Sequence, residues 1–177
     1  MHIAINDHER LARYTNFPPG YPLGHPVDGD AQVPMLNRVL LGDPPEQLVA
    51  FDDRKRALSP ATSGIHFFRD DVKFDSVLRN PLAWVPRFTE FSILLTPDSS
   101  LGDDMPSWLR QQRTCYSRAV GAIWESRGFT VVPTLMWRSL EDISFVTSGI
   151  PLGGTIALSN YGARRNPSER QIGRAHV

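Results

Sequence analysis

The pattern of hydrophobic and polar positions predicts five short strands. Runs of about four to eight apolar residues without polar alternation are typical of strands that are buried on both faces of a sheet. Such runs begin a regular rhythm after residue 47, and the first of them ends in two acidic residues. The predicted strands lie at residues 48–53, 64–68, 92–96, 129–137 and 155–160.

Helical periodicity falls between the predicted strands. The longest helix is predicted from residue 106 to residue 127, because its apolar side chains recur at intervals of three and four residues. Asp103 or Asp104 is predicted to cap this helix, with Pro106 in the first turn and Gly128 just past the end. Shorter helices are predicted at residues 74–78, 81–88 and 139–146.

Strands that alternate with helices indicate βαβ units, so the predicted fold class is α/β with a mostly parallel sheet of about five strands. Two arrangements stay open at this point. One is an open doubly wound sheet, and the other is part of a (β/α) barrel. Short loops and repeated acidic strand ends favour the barrel-like form.

Residues 1–47 differ from the rest of the chain, because seven of the fifteen prolines lie there. Proline fixes φ and removes a backbone donor, so long regular elements are not expected. We interpret residues 1–47 as an irregular N-terminal arm with a short helix at residues 33–41. Residues 48–171 are then the α/β domain.

Composition limits the classes of partner. Nineteen basic and nineteen acidic residues leave the 177-residue chain without net charge, so there is no strong nucleic-acid signature, although a local basic patch is compatible with this balance. No apolar run approaches the roughly 20 residues that span a bilayer, and no signal peptide is visible. The single cysteine excludes a multi-cysteine zinc cluster. We therefore expect a cytoplasmic protein without a membrane partner.

Aspartates follow two of the predicted strands. Asp70 and Asp71 come directly after the strand at residues 64–68, and Asp98 follows the strand at residues 92–96. Because ligands of parallel α/β folds bind at the carboxyl ends of the strands, we expect a site at this edge of the sheet.

Two roles are open for these acids. Asp98, together with Asp70 or Asp71, could hold Mg²⁺ or Mn²⁺ through oxygen ligands, and the ion could activate water or clamp a phosphate. Alternatively, Asp71 and either Asp103 or Asp104 cap the helices that follow them. Asp98 is the best candidate because it precedes the cap position, and we assign candidate catalytic and metal-binding roles to Asp98 and Asp70.

Arginines of the long helix supply the opposite charge. Arg110 and Arg113 share a helix face, where they could meet a phosphate or a carboxylate above the strand ends. The alternative is a solvated face, or salt bridges to Asp103 and Asp70. We take Arg113 as a third candidate catalytic residue and expect an anionic ligand.

Aromatic side chains divide into two groups. Trp137 and Arg138 end the fourth predicted strand, where a ring and a cation can stack and bind a base or sugar. Trp84, Trp108 and Trp124 match apolar helix faces, which predicts packing roles. The candidate ligand-binding residues are Asp71, Asp103, Arg110, Trp137, Arg138 and Asn160.

Four segments together are similar to a known family. The segments HFFRDDVKFDSVLRNP, LLTPDSSLGDDMP, RAVGAIWESRGFTVVPTLMW and IPLGGTIALSNYG resemble, in this order, the proteins catalogued as domain of unknown function 4417. The resemblance covers residues 48–166 and implies a shared fold in bacteria, archaea and their phages or mobile elements. It implies no activity. In family members a Phe usually follows the aspartate of the second motif, whereas here Ser99 follows Asp98.

The resemblance also implies that the chain continues with another helix and strand. The last six residues, IGRAHV, resemble the translation of a common sequencing adapter, so we interpret residues 172–177 as an artefact. We therefore expect a fragment from assembled environmental DNA that is truncated after about residue 171.

Two functional hypotheses from different classes remain. The first is a metal-assisted hydrolase or phosphoryl-transfer enzyme that uses the strand-end aspartates with Mg²⁺ or Mn²⁺. The second is a noncatalytic binding or accessory protein of a phage or mobile element. It rests on the proline-rich arm and on the absence of a GxxxxGK[ST], GxSxG or CxxC motif in the sequence.

Overall fold

The computed structural model describes residues 18–102 and 104–158. Strands in these ranges are β1 (Val27–Asp28), β2 (Val33–Pro34), β3 (Gln47–Ala50), β4 (Ser63–His66), β5 (Ile93–Leu95), β6 (Val131–Val132), β7 (Thr134–Leu135) and β8 (Ala157–Leu158). The α-helices are α1 (Asp71–Arg79), α2 (Val85–Phe88), α3 (Ser107–Glu125) and α4 (Ile143–Val146). Short 3₁₀ helices occupy Arg54–Arg56, Pro60–Thr62, Pro81–Trp84 and Leu140–Asp142. None of the helices described here has both the length and the apolar character that crossing a bilayer requires.

Strands β3, β4, β5 and β6 form a parallel sheet in the order in which they occur along the chain. Leu94 in β5 lies opposite Ile65 on one side and Val131 on the other. The structure therefore confirms a mixed α/β fold with a parallel sheet. Among the described strands, β3 to β6 follow one another without the reversal of strand order that marks a switch point.

The helices pack on one face of this sheet. Side chains from α1, α2 and α3 join the strand residues Ile65, Leu94 and Val131 in one buried cluster. The alternating strand residues Ile93, Leu95 and Val132 face the other way. Residues of the arm and of β8 cover that second face, chiefly Val39, Leu41 and Ala157.

Proline divides the strand that the sequence predicts at residues 129–137. Val131–Val132 pairs with β5, Pro133 follows, and Thr134–Leu135 pairs in parallel with Ala157–Leu158 in a separate small sheet. Proline has no backbone donor, so it interrupts the ladder at this point. Residues 159 and 160 of the fifth predicted strand lie outside the described residues.

The short helix predicted at residues 33–41 is wrong. Val33–Pro34 pairs antiparallel with Val27–Asp28, and the following residues are irregular. Their backbone groups bond to distant parts of the chain instead of within a helix. Leu36 N donates to Gly149 O at 2.9 Å, and Val39 O accepts from Thr155 N at 2.7 Å.

Helix α3 begins one residue later than predicted and ends two residues earlier, at Glu125. Pro106 occupies the N-cap position and makes no side-chain cap, so the predicted capping by Asp104 is wrong. Asp103 lies outside the described residues. Trp124 is fully buried, as predicted, but the packing role of Trp108 is wrong because its side chain is 64% exposed.

Candidate functional site

The chain directly after β5 is held rigidly at the carboxyl edge of the sheet. Thr96 N donates to Val132 O at 3.0 Å. Thr134 N donates to Thr96 Oγ1, and Thr134 Oγ1 donates to Thr96 O, both at 2.9 Å. Ser117 Oγ of α3 donates to Pro97 O, also at 2.9 Å. These bonds fix the backbone immediately before Asp98, so the position of its carboxyl group is well defined.

Asp98 is buried without a complete set of hydrogen-bond partners. It is 7% exposed, and its Oδ1 atom has no hydrogen-bond partner within the described residues. Burial, followed by repulsion from Asp71, raises the pKa of Asp98 to about 7. A buried acceptor that lacks a partner lowers the stability of the fold. Binding of a proton, a cation or a ligand donor to this oxygen would remove that cost.

Asp98 lines a small cleft that is partly open to solvent and has a cavity volume of about 20 Å³. Such a volume has room for about one water molecule or a single ion. The lining combines hydroxyl groups, two arginines and apolar side chains. The lining residues are Pro97, Asp98, Ser99, Leu101, Arg113, Thr114, Ser117, Arg118, Thr134, Met136 and Val146.

Asp71 does not cap α1, contrary to the capping prediction. The N-cap residue is Asp70, which makes no side-chain cap, and Asp71 is the first residue of the helix. The Asp71 carboxylate accepts the Ser100 backbone N–H at 3.0 Å and the Ser100 hydroxyl at 2.9 Å, together with an ion pair from Arg113. Asp71 therefore ties the loop after β5 to the starts of α1 and α3.

Asp70 is placed differently from the sequence hypothesis. Its side chain is exposed and is absent from the cleft lining. The acid whose charge acts on Asp98 is Asp71. Of the two pairings that the sequence left open, the charge interaction favours Asp98 with Asp71 over Asp98 with Asp70.

Arg110 links the start of α3 to the turn before α4. Its Nε donates to Asp142 Oδ1 at 3.0 Å, and its guanidinium also donates to Met105 O at 2.7 Å. Burial alone would raise the pKa of Asp142, but bonds from the backbone N–H groups of Arg138 and Ser139 and from Arg110 lower it overall. The predicted salt bridges of Arg110 and Arg113 to Asp70 are wrong, since their partners are Asp142 and Asp71.

Arg118 is the buried cation of the cleft. It is 1% exposed and donates to three backbone carbonyls, those of Thr134, Val146 and Ser148, at 3.2, 2.8 and 3.3 Å. Burial lowers its pKa to about 10. A guanidinium has five N–H donors, so these three bonds leave two N–H groups without a hydrogen-bond partner among the described residues. Its place within the apolar stripe of α3 is the sequence signal that distinguishes Arg118 from the exposed arginines.

Of the remaining predicted ligand residues, only Trp137 and Arg138 are described. Trp137 is half-buried, and the backbone N–H of Arg138 donates to Asp142 Oδ2 at 2.8 Å. Neither of them lines the cleft. Asp103 and Asn160 lie outside the described residues. Within residues 18–102 and 104–158, no three His, Cys, Asp or Glu side chains gather as potential metal ligands.

The sequence is related to phage gene products. It is 36% identical over 133 residues to the Gene 1 protein of Mycobacterium phage D29, covering 74% of this chain and 49% of that protein. It is 34% identical over 108 residues to the Gene 1 protein of Mycobacterium phage L5, covering 61% of this chain and 47% of that protein. The chain thus spans about half the length of these curated relatives.

No solved structure matches the chain. A family profile, in contrast, matches residues 25–175, which include both the arm from β1 onward and the whole carboxyl edge of the sheet. The chain therefore belongs to the family described as domain of unknown function DUF4417.

Proposed function

We propose that this chain is a phage-associated enzyme that carries out metal-assisted hydrolysis or phosphoryl transfer in the Asp98 cleft. The observation that carries the proposal is the buried Oδ1 atom of Asp98, which has no partner in the described residues and belongs to a group lining the cleft. The phage setting is supported by the relatives in two mycobacteriophages.

Asp98 is suited to hold Mg²⁺ or Mn²⁺. These ions prefer oxygen ligands, and Mg²⁺ commonly binds through one or two carboxylates together with substrate phosphates and water. Asp98 is the first ligand in this proposal. Asp71 supports it, because a cation between the two acids offsets the repulsion that raises the pKa of Asp98. Asp71 keeps its bonds to Ser100 and Arg113, so it acts as the weaker ligand.

The arginines of the cleft provide for an anionic substrate. Arg113 and Arg118 both line the cleft, and Arg118 retains unused N–H donors in a buried setting. Guanidinium groups stabilise the charge that develops on a phosphoryl group during transfer. The arrangement therefore combines a place for an ion on Asp98 with cations that face the anion.

The experiment is thermal unfolding with Mn²⁺ or Mg²⁺, each with and without inorganic phosphate as the anionic probe. We compare the unchanged chain with Asp98→Asn and with the control Asp75→Asn, which removes a carboxylate from the exposed ion pair with Arg79. We expect the ions to raise the melting temperature of the unchanged chain and of the control, but not that of Asp98→Asn. No shift, or an equal shift in all three proteins, would contradict the proposal.

A noncatalytic binding or accessory role is the second candidate. The observation that favours it is that three charged residues of the predicted site, Asp71, Arg110 and Arg113, all hold loops and helices together. In this case phosphate without metal would shift the melting temperature through Arg118, and the shift would persist in Asp98→Asn.

A further inference from the structure

A second cluster of charges surrounds Trp84, apart from the Asp98 cleft. The Arg54 guanidinium carbon lies 5.4 Å from the centroid of the Trp84 ring, and that of Arg87 lies 4.7 Å from it. Lys55 and Arg56 extend the cluster along the 3₁₀ helix Arg54–Arg56. We call these four cations with Trp84 the tryptophan–arginine surface.

This surface brings four basic side chains together on a chain without net charge. Lys55, Arg56 and Arg87 are exposed and Arg54 is half-buried. Among the described residues only Arg56 of these four has an acidic partner, Asp53 at 3.5 Å in an exposed ion pair. Exposed pairs are weak and are screened by salt, so this pair offsets the positive charge of the surface only in part.

The cations are held by a rigid support. Trp84 packs edge-on against Phe51 at 5.5 Å and stacks on Phe88 at 5.7 Å between ring centroids, and both phenylalanines belong to the buried core. Arg54 also donates to Phe51 O at 3.2 Å, and Arg87 donates to Ala83 O at 3.4 Å. The two guanidinium groups are therefore positioned before any partner arrives, which lowers the entropy cost of binding.

A guanidinium group that lies over an indole ring keeps N–H donors at its edges for an oxyanion. Phosphate matches that donor geometry and accepts two parallel bonds. The surface offers four cations along an exposed stretch rather than one enclosed pocket, so it fits a chain of phosphates better than a single small anion.

We propose that the tryptophan–arginine surface binds the phosphate backbone of a nucleic acid without reading its sequence. Arg54 and Arg87 contact phosphates from the Trp84 platform, and Lys55 and Arg56 contact the next phosphates along the strand. This inference is independent of the proposed function, because no residue of the surface lines the Asp98 cleft.

The test measures binding of a labelled single-stranded oligonucleotide of about 20 nucleotides, and of its duplex, over a range of salt concentrations. The variants are Arg54→Gln with Arg87→Gln, and separately Lys55→Gln with Arg56→Gln in case the first pair disturbs Trp84. The matched control is Arg79→Gln with Arg127→Gln, which removes the same charge from two other exposed arginines.

We expect the unchanged chain and the control to bind with affinity that falls linearly on logarithmic axes as salt rises. Each surface variant should bind about tenfold more weakly at low salt, with a salt slope smaller by roughly 1 to 2. Equal loss in the control, no binding at low salt, or equally tight binding of polyglutamate would overturn the proposal, since polyglutamate would indicate an acidic protein partner instead.

Discussion

At the scale of single residues, Asp98 destabilises the fold when it is ionised, and it is also the residue on which the proposed site depends. Its pKa is raised to about 7 mainly by burial and then by Asp71, so the folded chain prefers the protonated carboxyl. An acid with a raised native pKa contributes most stability below its unfolded pKa of about 4, and that contribution is lost as pH rises through about 7. The cost of ionised Asp98 is what a bound cation would remove.

Asp98→Asn should therefore stabilise the metal-free chain at pH 8. The neutral amide is nearly the same size and does not ionise, so we expect a gain of about 1–2 kcal/mol, or roughly 3–6 °C in melting temperature. The gain should disappear near pH 4. Thermal unfolding across this pH range checks the prediction, and a strong loss of stability at every pH would show that Asp98 is a structural acceptor instead.

Arg118 should be far less replaceable than the exposed arginines. Arg118→Met leaves the carbonyls of Thr134, Val146 and Ser148 without their donor inside the fold, so we expect a loss of about 3–5 kcal/mol. Arg127→Gln, which changes an exposed arginine of the same segment, should cost less than about 0.5 kcal/mol. Urea unfolding compares the free energies of unfolding of the two variants. Equal losses would show that the three hydrogen bonds of Arg118 do not stabilise the fold.

At the scale of elements, helix α3 links the arm, the sheet and the cleft. Arg118 faces the cleft, Gly121 faces the arm, and Glu125 accepts the Asn37 backbone N–H at 2.9 Å. These three residues are spaced three and four apart, so they form one stripe along the helix. The arm residue Leu36 completes this contact and is 2% exposed.

Gly121→Ala should test this contact. An added Cβ would lie 2.9 Å from Leu36 Cδ2 and 2.9 Å from Thr96 Cγ2, so we expect a cost of about 1–3 kcal/mol despite the better helix propensity of alanine. Adding Leu36→Ala to Gly121→Ala should cost less than Leu36→Ala does in the unchanged chain, because the two changes share one space. Strictly additive losses in a double-mutant cycle would contradict the packing described.

The local sequence pattern predicted where helices and strands lie better than it predicted which residues they contact. The apolar runs identified β3 to β6, and the spacing of three and four identified α3, because burial on a sheet face or a helix face imposes those periods. The division of one predicted strand at Pro133 was missed, because an apolar run alone does not show which residues pair with which neighbouring strand. The partners of Arg110 and Arg113 were missed since Asp142 and Asp71 are distant in sequence and meet α3 only in the folded chain.

The same reasoning explains the prediction of the site. Asp98 was identified because a carboxylate after a buried strand must lie at the carboxyl edge of a parallel sheet. The local sequence does not predict that Asp70 is exposed while Asp71 binds Ser100. The two residues are adjacent and of the same type, and only the folded backbone at the start of α1 decides which side chain faces the loop after β5. Burial of Arg118 likewise depends on three carbonyls from two later segments.

At the scale of the whole molecule, the arm and the α/β sheet are joined at the end of α3 by a half-buried acid, Glu125. Glu125 Oε2 has no hydrogen-bond partner within the described residues. Burial raises the pKa of Glu125 to about 7, and the Asn37 N–H partly opposes this rise. Stability from Glu125 is thus present below its unfolded pKa of about 4.5 and is lost as pH rises through about 7.

The double variant Asp98→Asn with Glu125→Gln should flatten the pH dependence of stability. For the unchanged chain without metal we expect the melting temperature to fall between about pH 5 and pH 8, and each single variant should retain part of this fall. The measurement is thermal unfolding in low-salt buffers at matched ionic strength. A double variant as pH-dependent as the unchanged chain would show that other groups govern the effect.

The chain spans about half the length of its phage relatives, so the activity of a whole protein of this family is best approached from the one site that the described residues build. The most direct measurement is the anomalous diffraction of Mn²⁺ in crystals of the chain grown with inorganic phosphate. We predict a peak about 2.0–2.3 Å from Asp98 Oδ1, with phosphate facing Arg118, and no peak in Asp98→Asn crystals. A cleft without a peak, in crystals that bind Mn²⁺ elsewhere, would contradict a metal-assisted site at Asp98.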